Sequence, residues 1–229
     1  KLVMDSGLDA LWQGIGLGGV IGETCAYNGT ISINRVIGRN GIGIGTYGGN
    51  TSLMFSSNYL VHVYFKIQGT IYSTFSNNAV DSTTTDYCYV IDSTDNYNTT
   101  NCTFISCGAE GAKKSAFFVG DFVQNVEFLD PYTTASNSSG DEQSGDLMTI
   151  KAEYWIKNIN ITAPSAYYGG GNSSIYISGD CDNIFILNTN KKILHKNIGG
   201  EVSKVSITGD YEWQPLDFSF VGNVNNAVL

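Results

Sequence analysis

The stretch VQNVEFLD, residues 123–130, decides the fold. Asn125 is followed by apolar Val126, polar Glu127 and apolar Phe128. The same order returns downstream. In KNINIT (157–162) Asn158 leads Ile159, Asn160 and Ile161, and in DNIFIL (182–187) Asn183 leads Ile184, Phe185 and Ile186. Upstream, Asn101 leads Cys102, Thr103 and Phe104, and in SKVSIT (203–208) Lys204 stands in the Asn position before Val205, Ser206 and Ile207. Residues one and three places after the Asn share one side of an extended strand, so both face a core. The residue between them faces outward and is mostly polar.

The returns fall about 20–35 residues apart, the range of solenoid repeats. Weaker copies precede them: GTISINRVIG around Ile31 and Ile33, TSLMFSS around Leu53 and Phe55, and GTIYSTFSN around Ile71. Short apolar runs such as SAFFVGD, DLMTIKAEY and SSIYISGD lie between, bounded by turn residues. GLDALWQGI, near the start, is the one stretch with any helical character, and its glycines weaken it. A propeller blade needs four strands in about 40–50 residues, and a sandwich would not keep one register through so many copies. A right-handed parallel β-helix fits, each repeat one coil, with equivalent strands about 4.8 Å apart and the hand set by the usual crossover bias. The recurring Asn then serves the fold, since it tolerates a left-handed turn and can form an amide ladder between coils. The expected division is a lead-in or cap over residues 1–29, an all-β solenoid over 30–210, and a non-repeat segment over 211–229 that caps the last coil or meets its copies around a threefold axis. Residues 77–100 and 131–146 are too long for simple turns and read as insertions, which solenoids collect on one face, often the binding face.

The chain of 229 residues is 42% hydrophobic, enough for a core, yet only 14% charged. Its polar surface must come from Ser, Thr, Asn, Gly and Tyr, a composition for strands and turns. A net charge of −9 argues against a nucleic-acid partner, which calls for clustered Lys and Arg. No apolar run is long enough to span a bilayer as a helix, and no signal peptide is visible. The chain opens at Lys1 without Met and reads as a fragment or processed product of something longer. The five cysteines, Cys25, Cys88, Cys102, Cys107 and Cys181, match no zinc spacing and read as buried small hydrophobes. GIGLGG (14–19) and GRNGIGIGTYGG (38–49) precede no helical pattern, so their glycines read as turn or close-packing residues, not as a nucleotide loop. His62 and His195 have no acidic cluster beside them in sequence, so neither a metal site nor a cofactor is expected.

The stacked NVEFLD, NINITA and NIFILN segments, the Gly, Ser, Thr, Asn and Tyr content, the low charge and the unpaired cysteines together resemble the β-helical part of a bacteriophage tailspike or tail fibre. The likeness spans roughly residues 30–210. It implies a homotrimer in the virion tail, made in the host cytoplasm and acting outside the cell beside other tail proteins. Its partner would be host surface polysaccharide, capsule or lipopolysaccharide, which many such proteins cleave by hydrolysis or elimination. Others only bind a receptor or form a shaft. Pectinase-like enzymes share the coil, but their tight Asp-Asp and Arg patterns are missing here.

An acid stands shortly before each aligned Asn: Asp121, Glu153, Asp180 with Asp182, and Glu201. Glu127 projects from the adjacent strand and Asp130 ends it. Acids on neighbouring coils would lie about 5 Å apart and on alternate coils about 10 Å, which brackets the two glycosidase geometries. Asp121, Glu127 and Glu153 are therefore the catalytic candidates, with capping of turn amides as the competing role. Tyr154, Trp155, Tyr167 and Tyr168 are the candidates for stacking on sugar rings. A lyase would need a base, which His195 beside Lys196 could supply.

Overall fold

The computed structural model describes residues 2–3, 13–18, 26–33, 35–134, 146–167, 175–188, 195–197 and 205–209. Within them the chain is all β, and every strand ladder is parallel. Successive coils stack to form a parallel β-helix with a first, second and third wall.

The first wall carries the repeat. It is built from Thr30–Ile31, Met54–Ser56, Thr74–Ser76, Thr99–Ile105, Val123–Leu129, the second halves of Met148–Thr162 and Ile175–Asn188, and Val205–Gly209. Its pairing follows the sequence alignment residue for residue: Cys102 opposes Val126, Val126 opposes Ile159, Ile159 opposes Ile184, and Ile184 opposes Val205. One inward column runs Ile31, Phe55, Phe75, Phe104, Phe128, Ile161 and Ile186, and the backbone of Ile207 pairs with Ile186 in the next coil.

The Asn positions form the corner before this wall. Asn101, Asn125, Asn158 and Asn183 have φ of 55°, 53°, 54° and 55°, a left-handed bend that Asn tolerates better than most residues. The bend lets Gln124 and Asn125 both face outward between buried Val123 and Val126. Asn158 Nδ2 donates to Asn125 Oδ1 at 2.8 Å, and Asn183 Nδ2 donates to Asn158 Oδ1 at 2.9 Å. In the earlier coils Asn28, Ser52 and Tyr72 hold the same corner, with φ of 52°, 56° and 50°. Leaving this wall, Ser57, Asn77, Ser106, Asp130 and Ala163 make a second left-handed corner. Behind it lies a buried amide pair, Asn58 Nδ2 to Asn78 Oδ1 at 2.8 Å, and Asn78 Nδ2 also donates to the Phe55 carbonyl at 2.9 Å.

The second wall comprises Leu2–Val3, the start of Val36–Thr46, the start of Tyr59–Gln68, Ala79–Asp81, Gly108–Glu110, Tyr132–Thr134 and Ser165–Tyr167. The third comprises Gln13–Leu17, the ends of Val36–Thr46 and Tyr59–Gln68, Tyr87–Asp92, Ser115–Val119, the starts of Met148–Thr162 and Ile175–Asn188, and His195–Asn197. Two aromatic columns fill the core between the first and third walls. Phe55, Phe75, Phe104 and Phe128 stack at 4.5, 4.5 and 4.9 Å between ring centres, while Phe65, Tyr89 and Phe117 stack at 5.1 and 4.6 Å. The columns meet edge to face, as in Tyr89–Phe104 at 6.5 Å and Phe117–Phe128 at 5.4 Å. Each such pair adds about 0.5–1.5 kcal/mol beyond the burial of its area. The Tyr89 hydroxyl, buried with its ring, donates to the Asn78 carbonyl at 2.7 Å.

The structure departs from the sequence expectation at several places. Ile71 is only partly buried, and Ser73 and Phe75 take the inward positions, because the bend falls at Tyr72. Residues 77–100 are not one long loop. They contain Ala79–Asp81 and Tyr87–Asp92, leaving only 82–86 and 93–98 as loops. The reason is Tyr89, whose ring is sandwiched between Phe65 and Phe117 and holds that segment in the third wall. Of 131–146, Tyr132–Thr134 is a strand of the second wall, and 135–145 lie outside the described residues. Parallel pairing begins upstream of residue 30, since Leu2–Val3 and Gln13–Leu17 both pair with Val36–Thr46. In GLDALWQGI, residues 13–15 are therefore strand. Residues 211–229 lie outside the described residues.

Candidate functional site

The structure brings four of the sequence candidates to one bulge. Ala152 opposes Gly179 and Ile156 opposes Cys181, so Glu153, Tyr154 and Trp155 face Asp180 alone in the next coil. On the other side Val119 pairs with Ile150 and Val123 with Ile156, so 120–122 face the longer 151–155. Asp121 Oδ1 accepts the backbone N–H groups of Glu153 and Tyr154, both at 2.8 Å, and so holds the bulge in place. The Phe122 ring stacks on Tyr154 at 5.2 Å and meets Trp155 edge-on at 5.4 Å, while Lys157 Nζ lies 5.3 Å from the Trp155 ring centre. Tyr154 remains 63% exposed. Glu127 does not join them. It sits beyond the Asn125 bend, and its register neighbours are Thr103 and Asn160, so no acid stacks on it in the coils to either side.

The other candidates are dispersed. Asp130 occupies the second corner, where its Oδ2 accepts from Ser106 Oγ at 3.4 Å. Tyr167 ends the strand Ser165–Tyr167 and pairs with Thr134. His195 and Lys196 pair with Ile175 and Tyr176. Tyr168 and Glu201 lie outside the described residues. No group of three or more His, Cys, Asp or Glu side chains is placed to hold a metal among the described residues. Burial pushes the thiols of Cys88, Cys102 and Cys181 up to about 12 and that of Cys107 to about 11. They pack as apolar groups.

A different surface has the shape of a site. Between the second and third walls each coil turns a corner with a link of different length: 62–64, then 82–86, then 111–114. The 82–86 link forms a lip. Its carbonyls at Thr85 and Asp86 accept the N–H groups of Lys113, Lys114 and Ser115 in the following coil, and Thr85 Oγ1 donates to Ser82 Oγ at 2.9 Å. Beside the lip is a cleft of about 380 Å³, within the usual size range for a small ligand. Tyr64 and Tyr87 contribute aromatic surface, and Asn40, Thr84, Thr85, Asp86 and Lys113 contribute polar groups. The Tyr87 ring is fixed by Phe118 at 4.8 Å and has Lys114 Nζ 5.9 Å from its centre, while Lys114 Nζ also lies 3.2 Å from Asp86 Oδ2. Burial, with Asp92 nearby, raises the Tyr64 hydroxyl above its ordinary range, so it stays a neutral donor and acceptor.

The second wall continues this surface. Asp81 immediately precedes the lip, Glu110 immediately precedes the next link, and the two oppose each other on adjacent coils. Their backbones are therefore about 4.8 Å apart. Tyr59 Oη donates to Asp81 Oδ2 at 3.3 Å, and Arg35 lies 5.9 Å from the Tyr59 ring centre. Tyr132 covers Gly108, where an added Cβ would fall 2.4 Å from the ring. The one sequence signal that could have found this region is the apolar run CYVI over 88–91, inside a segment read as an insertion. The acid pair itself becomes visible only once the coils are stacked.

Comparison with protein-family models, with curated proteins and with solved structures finds no match to this chain.

Proposed function

We propose that this chain is the receptor-binding β-helix of a bacteriophage tailspike or tail fibre and that it holds host surface polysaccharide, either capsule or lipopolysaccharide. The observation that carries the reading is the cleft beside the 82–86 lip. Two tyrosine rings next to Thr84, Thr85, Asn40 and Asp86 offer apolar faces for sugar C–H groups and hydrogen-bond partners for hydroxyls. A net charge of −9 leaves such recognition intact, since it runs on stacking and hydrogen bonds. The active form in this reading is a homotrimer joined to other tail proteins.

Cleavage is the second reading, and Asp81 with Glu110 is the observation that favours it. Their backbones oppose each other on adjacent coils, about 4.8 Å apart and flanked by Tyr59 and Tyr132, a placement from which two carboxyl groups can reach the separation of about 5–5.5 Å used by retaining glycosidases. Asp121, by contrast, has one oxygen committed to two backbone amides.

One experiment tests both readings. The full chain is sized by light scattering and incubated with capsule and lipopolysaccharide from a panel of bacterial hosts. Retained glycan, new reducing ends and unsaturated-sugar absorbance are then measured. Retention without new ends supports a binding module, and new ends lost in Asp81→Asn and Glu110→Gln support hydrolysis. Absence of retention and cleavage across the panel refutes the polysaccharide reading, and a monomer under all conditions refutes the trimer.

A further inference from the structure

Resting on that carbohydrate reading of the cleft, we infer that its ligand is an acidic sugar, a hexuronate whose carboxylate meets Lys113 while its hydroxyls meet Asp86 and the threonines of the lip. The warrant is a local reversal of charge. The chain carries 21 acidic and 12 basic side chains, yet the cleft is lined by one acid, Asp86, and one base, Lys113, with Lys114 beside them. Asp86 and Lys114 neutralise each other at 3.2 Å. Lys114 is further committed to the face of Tyr87. The ammonium of Lys113 is exposed and makes no ion pair among the described residues. The cleft therefore carries one uncompensated positive charge on a negatively charged protein.

The lip also fixes where that charge stands. The Lys113 N–H donates to the Thr85 carbonyl at 3.0 Å, which pins the lysine backbone to the lip while its side chain stays in solvent. A compact ammonium suits a single carboxylate without demanding bidentate geometry. Asp86, its charge balanced by Lys114, accepts hydrogen bonds from hydroxyls, so the site has a polarity along the sugar ring. A neutral hexose would leave Lys113 without a partner, and a polyanion with adjacent charges would find one free ammonium only among the cleft's described residues. The sugar that matches has one acid group per ring.

The test is saturation-transfer NMR on the full chain with D-glucuronate, D-galacturonate, D-glucose and D-galactose, repeated on Lys113→Gln and Tyr87→Ala. The expected result is binding of a uronate about two- to five-fold tighter than its neutral hexose, the scale of one exposed ion pair. Lys113→Gln should abolish that preference, and Tyr87→Ala should weaken all four sugars. Equal binding of uronates and hexoses, or a uronate preference that survives Lys113→Gln, overturns the acidic-sugar inference and leaves the carbohydrate reading standing. Failure of the wild type to bind any of the four, or binding indifferent to Tyr87→Ala, overturns the carbohydrate reading of the cleft itself. Lys113 is exposed, so its variant folds, and circular dichroism of both variants verifies the fold.

Discussion

Replacing Asn158 by Ala and, separately, by Gly should divide the two jobs of the corner asparagine. Its Nδ2 donates to Asn125 and its Oδ1 accepts from Asn183, so either change removes both bonds. Each is exposed and contributes at the low end of the usual range, giving a loss of about 1 kcal/mol for the two. The backbone at φ 54° then separates the variants. Ala in the left-handed region costs a further 1–2 kcal/mol or so, for a total of about 2–3. Gly accepts that conformation but loses about 0.5–1 kcal/mol through the greater freedom of the unfolded chain, for a total of about 1.5–2. Urea unfolding followed by circular dichroism measures both. The expected order is wild type, Gly, Ala. A Gly variant as unstable as Ala would sink the backbone half of the argument. Losses below about 0.5 kcal/mol in both would show that the ladder contributes nothing.

Tyr72→Asn should stabilise the protein by about 1 kcal/mol, since it places a tolerant residue at φ 50° where a 66% exposed tyrosine now stands; an unchanged melting temperature would contradict this. Cys88, Cys102, Cys107 and Cys181 should resist a thiol reagent in the folded protein and react fully in urea, and labelling of any of them at the rate of a free thiol would refute their burial. Their folded values, about 11–12, lie above the ordinary 9.0, so the stability from neutral buried thiols is intact below pH 9 and is lost as pH rises toward 12. Chemical denaturation at stepped pH should show that decline, and an alkaline plateau would count against it. Asp121→Ala should cost about 0.5–2 kcal/mol, the scale of a lost cap, and Asp121→Asn less, because an amide oxygen can keep both bonds. Loss of glycan cleavage in Asp121→Asn at an unchanged melting temperature would instead assign the residue to chemistry.

The register of the first wall was legible because two constraints coincide there. A left-handed corner selects Asn, and the strand behind it alternates inward and outward, so Asn125, Asn158 and Asn183 mark one column. Where the corner is held by Ser52 or Tyr72 the marker is lost, and the copy centred on Ile71 falls two residues ahead of the inward Ser73. The buried Asn58–Asn78 pair left no trace, because an inward asparagine looks like any turn residue until its carbonyl partners are known. The candidate site was hidden for a related reason. Asn40, Tyr64, residues 84–87 and Lys113 come from different coils. Their meeting depends on the length of each corner link, which hydrophobic periodicity does not encode. The acids before the aligned asparagines were visible, and Asp121 and Glu153 do meet at one corner, but through backbone amides and not through a shared substrate space.

The parallel ladders carry a mechanical consequence. Their hydrogen bonds, such as Ser57 N–H to the Ser76 carbonyl and Asp130 N–H to the Thr162 carbonyl, point from coil to coil, along the direction in which the coils stack. Tension applied end to end therefore loads all coil interfaces in series, and the weakest coil boundary sets the force at which the stack yields. Sideways shear instead has to slide whole strands past one another in all three walls at once.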